Sequence, residues 1–397
     1  MANDTVEMSE HHQIASNTDL TIHILPEGPR PKKGAAQDAA ADIQDAAGKK
    51  KVVIHEVIFH VEKAVLVRTE YFRVLLQGRF REAGQPSVTL RGDDAHAVGV
   101  WFRILHETDL EETYAATTIG KLWEVVAVAK KYGFEPTQAR SWFTEWYKRN
   151  ESRLFSPGSR YDINNLRMLL LPGYVFDEST AFLQVTKTLA YNFDGHITEA
   201  RPTDVRRDLH VPANFIQQLN AAKGRLRNIL HKELYLPIRK LLMASCGHKE
   251  HMLFAYEKKL FASGAWPLEQ TGHRNSIRGL LQKLKTVDND DMPESCQGCA
   301  VNVSGVICEA AKEVNDYFDG LCLDCINVSK LRDNDDDYWH HASMGPWDLE
   351  CRVDHGEPTW YFSFMGRREH MTAWLKKRRV RRQQLRGWDT AYGGLDW

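Results

Sequence analysis

Cysteine is missing from the first 245 residues of this 397-residue chain, and five of its seven cysteines fall between Cys296 and Cys325. Long apolar runs are missing too. No stretch approaches the roughly 18 residues of a membrane-spanning helix, so no membrane role is expected. The first ten residues are polar and acidic, without the apolar segment of a secretory signal, which points to a reducing compartment, cytoplasm or nucleus. Disulfides are not expected there, and the cysteine number is odd. Charge of one sign is also lacking: 52 Lys and Arg against 53 Asp and Glu leave a net charge of -1. The molecule as a whole is therefore no polyanion binder, and a nucleic-acid role would need a local patch. Catalytic words are absent as well. There is no His-Glu-x-x-His, no Gly-x-Ser-x-Gly, no phosphate-cradling Gly-rich loop and no Gly-x-Gly-x-x-Gly, so neither an enzyme nor a small-molecule substrate is expected.

What is present reads as a folded α+β chain. A hydrophobic fraction of 43% and a charged fraction of 26% are globular averages, and the length suits two to three domains of roughly 100–200 residues each. Residues 1–17 read as a disordered lead. Leu20, Ile22 and Ile24 alternate with Thr21 and His23 as a half-buried strand, ended by Pro26-Glu27-Gly28-Pro29. Residues 27–51 are rich in Pro, Gly, Ala, Asp and Lys and read as a flexible insertion. A strand pair is expected at Val52-Val53-Ile54 and Val57-Ile58-Phe59-His60-Val61, with a further strand at Ser87-Val88-Thr89-Leu90. Helical stripes follow: Tyr71, Phe72, Leu75, Leu76 and Phe80; then Val98, Trp101, Phe102, Ile104 and Leu105 behind an Asp93-Asp94 cap. Two more are Leu122, Val125, Val126, Ala129 and Tyr132, closed by Gly133, and Ala139, Trp142, Phe143 and Trp146 behind Pro136. The domains expected are 18–150, a helical region over 151–245, a cysteine-rich module over 246–330, and a C-terminal region over 331–397 with a basic helix.

Strand, loop, strand pair, helix pair, strand, then helices is an order that resembles BTB/POZ domains. The residues that carry the likeness are Phe59-His60-Val61-Glu62-Lys63-Ala64-Val65-Leu66, Tyr71-Phe72 and Gly78-Arg79-Phe80-Arg81-Glu82. Val88-Thr89-Leu90 before Asp93-Asp94, and the segment ending Lys131-Tyr132-Gly133-Phe134, complete it. Glu62 stands where the family usually has His, and the insertion at 27–51 is long for it. The remainder resembles filamentous-fungal BTB proteins through Tyr191-Asn192-Phe193, Arg225-Leu226-Arg227, Gly320-Leu321-Cys322-Leu323-Asp324-Cys325 and His355-Gly356-Glu357-Pro358-Thr359-Trp360-Tyr361. The resemblance implies a protein-interaction role: a homodimer, or an adaptor bringing a partner to a cullin-type ubiquitin ligase scaffold.

The cysteines carry the chemistry. Cys296-x-x-Cys299 and Cys322-x-x-Cys325 read as two knuckles closing one structural zinc tetrahedron, with a helix through Val306, Ile307, Ala310, Val314, Tyr317 and Phe318 between them. Buried structural thiols are the plain alternative. Cys246-x-His248, with His251 behind it, is a competing ligand source that could replace one knuckle or found a second site with Cys308. Cys351 has no partner in sequence and reads as core. A RING-type ligase would need two interleaved sites and about eight ligands, and fits poorly. Asp333 to 337 reads as a solvated acidic turn, and Trp339, Trp347, Trp360 and Trp374 as core aromatics. Lys376-Lys377-Arg378-Arg379-Val380-Arg381-Arg382 is dense enough for nuclear import or phosphate contact. Zinc module plus basic run make a nuclear DNA-binding regulator the alternative function. The acidic residues Glu294, Glu309, Glu313, Asp316, Asp319 and Asp324 around the knuckles argue against sequence-specific DNA binding.

Overall fold

A computed structural model of the chain describes residues 6–25, 43–44, 50–51, 53–156, 163–202, 208–330 and 351–353. It divides into two units. The first holds residues up to 159 with 175–177 and 201–209; the second holds 160–174, 178–200 and the chain from 210 onward. The helical region and the cysteine-rich module, expected as separate domains, thus belong to one unit.

In the first unit the strands are β1 (Val6–Gln13), β2 (Leu20–Leu25), β3 (Ile43–Gln44), β4 (Lys50–Lys51), β5 (Val53–Val61) and β6 (Ser87–Arg91). Four of them form one sheet in the order β1-β5-β2-β6, with β5 and β2 antiparallel and the two outer pairings parallel. Alternation sets the register: Leu20, Ile22 and Ile24 of β2 and Val88 and Leu90 of β6 are all buried. On the other face of β2, His23 Nδ1 pairs with Glu56 Oε1 of β5 at 2.8 Å.

Three expectations are corrected here. The lead forms a strand, β1, although its residues are mostly polar. An edge strand is recruited by the free N–H and C=O groups of its neighbour, and it needs no apolar face of its own. Two ring contacts and one buried anchor then fix it: His12 stacks on Phe59 at 5.2 Å, His11 on His60 at 5.6 Å, and Ile14 is buried. The insertion contains the short antiparallel pair β3-β4. The expected strand pair is one strand, since β5 runs unbroken through Val53–Val61.

Helices α1 (Lys63–Leu66), α2 (Glu70–Gln77), α3 (Ala95–Leu105), α4 (Glu111–Ala116), α5 (Ile119–Tyr132) and α6 (Arg140–Phe155) complete this unit. The expected punctuation is in place. Asp94 accepts from the Ala97 amide at the start of α3, and Gly133, at φ 67°, ends α5 in the left-handed conformation. Asp93 is not the cap. Its carboxylate is buried against Lys131 Nζ, at 2.6 Å, and the Tyr132 hydroxyl. Trp101, Trp142 and Trp146 are buried as expected, and each indole N–H has an acceptor: Val125 O, Thr113 Oγ1 and Thr117 O respectively. Phe72 and Leu76 of the α2 stripe are buried. Phe80, expected inside, is 57% exposed because the helix stops at Gln77 before reaching it, and Tyr71, at the start of the helix, is 38% exposed while its ring packs on Phe72 and Tyr132.

The second unit is helical: α7 (Ile163–Met168), α8 (Leu170–Val175), α9 (Ser179–Asn192), α10 (Ala213–Leu242), α11 (Lys249–Ala262), α12 (Leu268–Thr271), α13 (Ile277–Leu284), α14 (Val303–Asn315) and α15 (Leu323–Lys330). The organising element is α10, about 45 Å long at 1.5 Å per residue. Its stripe Phe215, Leu219, Ala222, Leu226, Leu230, Leu234, Leu241 is buried, and α9, α11, α13 and α14 pack on it. That shared spine is why no boundary falls near 245. Among the described residues no helix is long and apolar enough to cross a membrane.

The far end of α14 is tied to α9. The Tyr191 hydroxyl donates to Val314 O at 2.7 Å, and the Leu321 amide donates to Thr186 Oγ1 at 2.8 Å. Gly320 makes the approach possible: at φ 111°, a Cβ there would stand 2.2 Å from Leu183 O.

Candidate metal centre

The near end of α14 and the far end of α10 meet around four ligand-bearing side chains. After α10 the chain turns through Cys246 and His248, and His248 immediately precedes α11. Cys296 and Cys299 lie in a tight turn before α14, in which the amides of Cys299 and Ala300 both donate to Cys296 O at 3.0 Å. A knuckle of this kind folds two sulfurs to one side. The ligand atoms of Cys246, His248, Cys296 and Cys299 all lie within 4.8 Å of one another.

The spacing suits one tetrahedral ion. Two thiolates on a zinc at about 2.3 Å stand about 3.8 Å apart; the Cys296 and Cys299 sulfurs stand 3.6 Å apart. A disulfide would need about 2.05 Å. Beneath the four lies an apolar floor of Leu241, Met252 and Cys299 itself, with Leu253, Met292 and Val301 packed at its edge. His248 closes the solvent side and is exposed, whereas Cys299 is buried.

Electrostatics prepare one thiol more than the other. The Gly298 amide, and then the Cys246, Cys299 and His248 side chains, bring the Cys296 thiol down to about 6. Burial pushes the Cys299 thiol up, so that sulfur would release its proton to solvent readily only as a cation binds it. Three sulfurs and one imidazole are a soft donor set of zinc type, and four donors leave no position for water or substrate.

The four-cysteine set expected from sequence is not brought together. Cys296 and Cys299 join Cys246 and His248. Cys322 groups instead with Asp324 and Cys351, again within 4.8 Å. The reason is the intervening helix. As a rigid rod of 13 residues, α14 spans about 20 Å. The chain after it docks on α9 through Phe318 and Leu321 and does not double back. The side chain of Cys325 lies outside the described residues. Cys308, weighed as a partner for Cys246, is exposed on α14 and belongs to neither group. Cys351, expected as isolated core, is half-buried and beside Cys322. What the sequence reading missed is the pin that places it: Asp324 accepts from the Arg352 backbone amide at 2.8 Å and from Arg352 Nε at 2.9 Å. The acidic turn at 333–337, the basic run at 376–382, and Trp339, Trp347, Trp360 and Trp374 lie outside the described residues.

Compared with family models, with curated proteins and with solved structures, the chain matches none of them.

Proposed function

We propose that this chain is a protein-interaction protein: a BTB/POZ-like first unit that dimerises or recruits a partner, followed by a helical unit braced by structural zinc at Cys246, His248, Cys296 and Cys299. The observation that carries the reading is the closed donor set on an apolar floor. A catalytic zinc keeps an open position, whereas a four-ligand Cys and His site contributes folding energy. The metal then serves architecture, and the work of the unit is to present a surface.

Two further features support it. From β2 onward the order strand, insertion, strand, helix pair, strand and helices is close to the one on which the BTB/POZ resemblance rests, with one strand in place of the expected pair and β1 added before it. The first unit also keeps Tyr71, Val74 and Phe80 of α2 and the turn after it in solvent. Apolar side chains clustered in this way mark interaction surfaces more often than decoration. A cullin-type scaffold is the partner class that the resemblance implies.

The test is light scattering of the full chain together with affinity capture and mass spectrometry. Self-association, or recovery of a cullin scaffold, that is lost in Val74→Glu and Phe80→Glu supports the reading. Selection of a defined DNA motif at about 150 mM salt, where exposed charges are already well screened, overturns it in favour of a DNA-binding regulator.

A further inference from the structure

The second group of ligand-bearing side chains has a construction of its own. Cys322, fully buried, is the last residue before α15, the position at which the free amides of a helix start favour negative charge. Cys351, 29 positions further on by number, is returned to it from across an acidic stretch of chain. Asp324 in the first turn of α15 holds that return in place, because Arg352 grips its carboxylate with the backbone amide, Nε and a terminal nitrogen, at 2.8, 2.9 and 2.7 Å. The grip lies within two residues of each cysteine: Asp324 is two positions after Cys322, and Arg352 one after Cys351.

Pinning two thiols this closely has a cost unless something uses them. A hydrophobic contact alone would not need the carboxylate–guanidinium clasp beside it. We propose that Cys322 and Cys351 are ligands of a second, sulfur-rich zinc site, separate from the first, which fastens the chain around 351 to the start of α15. Asp324 lies within ligand distance and is the positioning residue: its Arg352 partner neutralises it, and two thiolates then meet a divalent cation with little net charge left over. The two centres share no ligand, so this site does not depend on the first.

The test is zinc content of the full-length protein after gel filtration in chelator-free buffer, with alkylation of the native wild type as a measurement free of variants. The wild type should carry about two zinc ions per chain. Cys351→Ser should lose one, and Cys351→His, which restores a ligand, should keep both. The Cys246→Ser, His248→Ala double variant should lose the other. A wild type with one ion that depends on Cys351 and not on Cys246 would sink the first centre and leave this one standing. In the native wild type Cys351, although half-exposed, should resist alkylation until a chelator is added. Prompt alkylation of Cys351 before chelation overturns the site. So does a Cys322–Cys351 disulfide peptide in non-reducing mapping, or full zinc retention in Cys351→Ser.

Discussion

Zinc should set the stability of the second unit in a way that can be calculated. Structural zinc in peptide-sized sites binds with roughly 10–16 kcal/mol near neutral pH, and little of that binding survives unfolding. An entire domain has only about 5–15 kcal/mol of net stability. The far end of α10, the near end of α14, the start of α11 and the knuckle before α14 all converge on Cys246, His248, Cys296 and Cys299. Beneath them Leu241, Met252 and Cys299 are buried together, a small apolar floor that the bound ion would reinforce. The perturbation is free zinc, buffered from about 10⁻¹² to about 10⁻⁹ M. When binding is saturating, each tenfold rise adds about 1.4 kcal/mol per bound ion, or about 4 kcal/mol over the range. For a unit of this size that shifts the midpoint by about 10 °C. The assay is thermal unfolding with hydrogen exchange resolved by peptide, so the two units are scored separately. Peptides of the first unit, which has no cysteine, should not respond. A slope near twice the single-ion value would be the signature of both centres. A second unit whose unfolding ignores free zinc across this range would refute the reasoning outright.

Single substitutions should rank by burial. Cys299→Ser, at the buried sulfur, should abolish the first zinc, whereas His248→Ala, at the exposed ligand, should weaken it and leave water in the fourth position; dialysis against graded zinc buffers reads the difference. Asp93→Ala in the first unit should cost about 3–5 kcal/mol in denaturant unfolding followed by tryptophan fluorescence, because it strands Lys131 beside a buried site. Burial, and then Arg227, lowers the Lys223 ammonium to about 8, while its Nζ donates to the Phe193 and Gly195 carbonyls. In the unfolded chain a lysine titrates near 10.4. Between those values the unfolded chain binds more protons, so wild-type stability rises with pH through that window and the deficit of Lys223→Met should widen from pH 7 to pH 10. A constant deficit would show that the ammonium stays charged in the fold. Gly320→Ala should destabilise the second unit by at least about 2 kcal/mol, from the left-handed backbone and the collision with Leu183 O; an unchanged midpoint would refute that reading.

Much of the first unit is legible in the sequence because its signals are local. The alternation of Leu20, Ile22 and Ile24, the Asp94 cap, the Gly133 stop and the tryptophan stripes each depend on neighbours within a turn or two. The strand β1 is not legible, because its pairing is supplied by the open edge of β5 and its own residues are all polar from Ser9 onward. The metal ligands fall between these cases. Cys296-x-x-Cys299 is a local word and is found as a knuckle. Its complement is a tertiary fact, and two sequence words, Cys322-x-x-Cys325 and Cys246-x-His248, compete for it.

The competition is decided by rigid-body geometry, and the deciding quantity was available from helix length alone. A helix of 13 residues holds its ends about 20 Å apart, and the six residues from Asp316 to Leu321 could return that distance only if fully extended along it. They are not free to do so: Phe318 and Leu321 hydrogen-bond to α9, and Gly320 accepts a backbone conformation no other residue would take there cheaply. The knuckle at the near end must therefore find its partners on whatever element lies alongside α14 at that end. That element is α10, whose last turn leads directly into Cys246 and His248. The same constraint leaves Cys322 at the opposite end without the first knuckle, and the Asp324–Arg352 clasp brings Cys351 to it. Two ligand groups at the two ends of one helix follow from its stiffness, so shortening α14 by a full turn should disturb both groups, while substitutions on its exposed face, such as Cys308→Ser, should leave both intact.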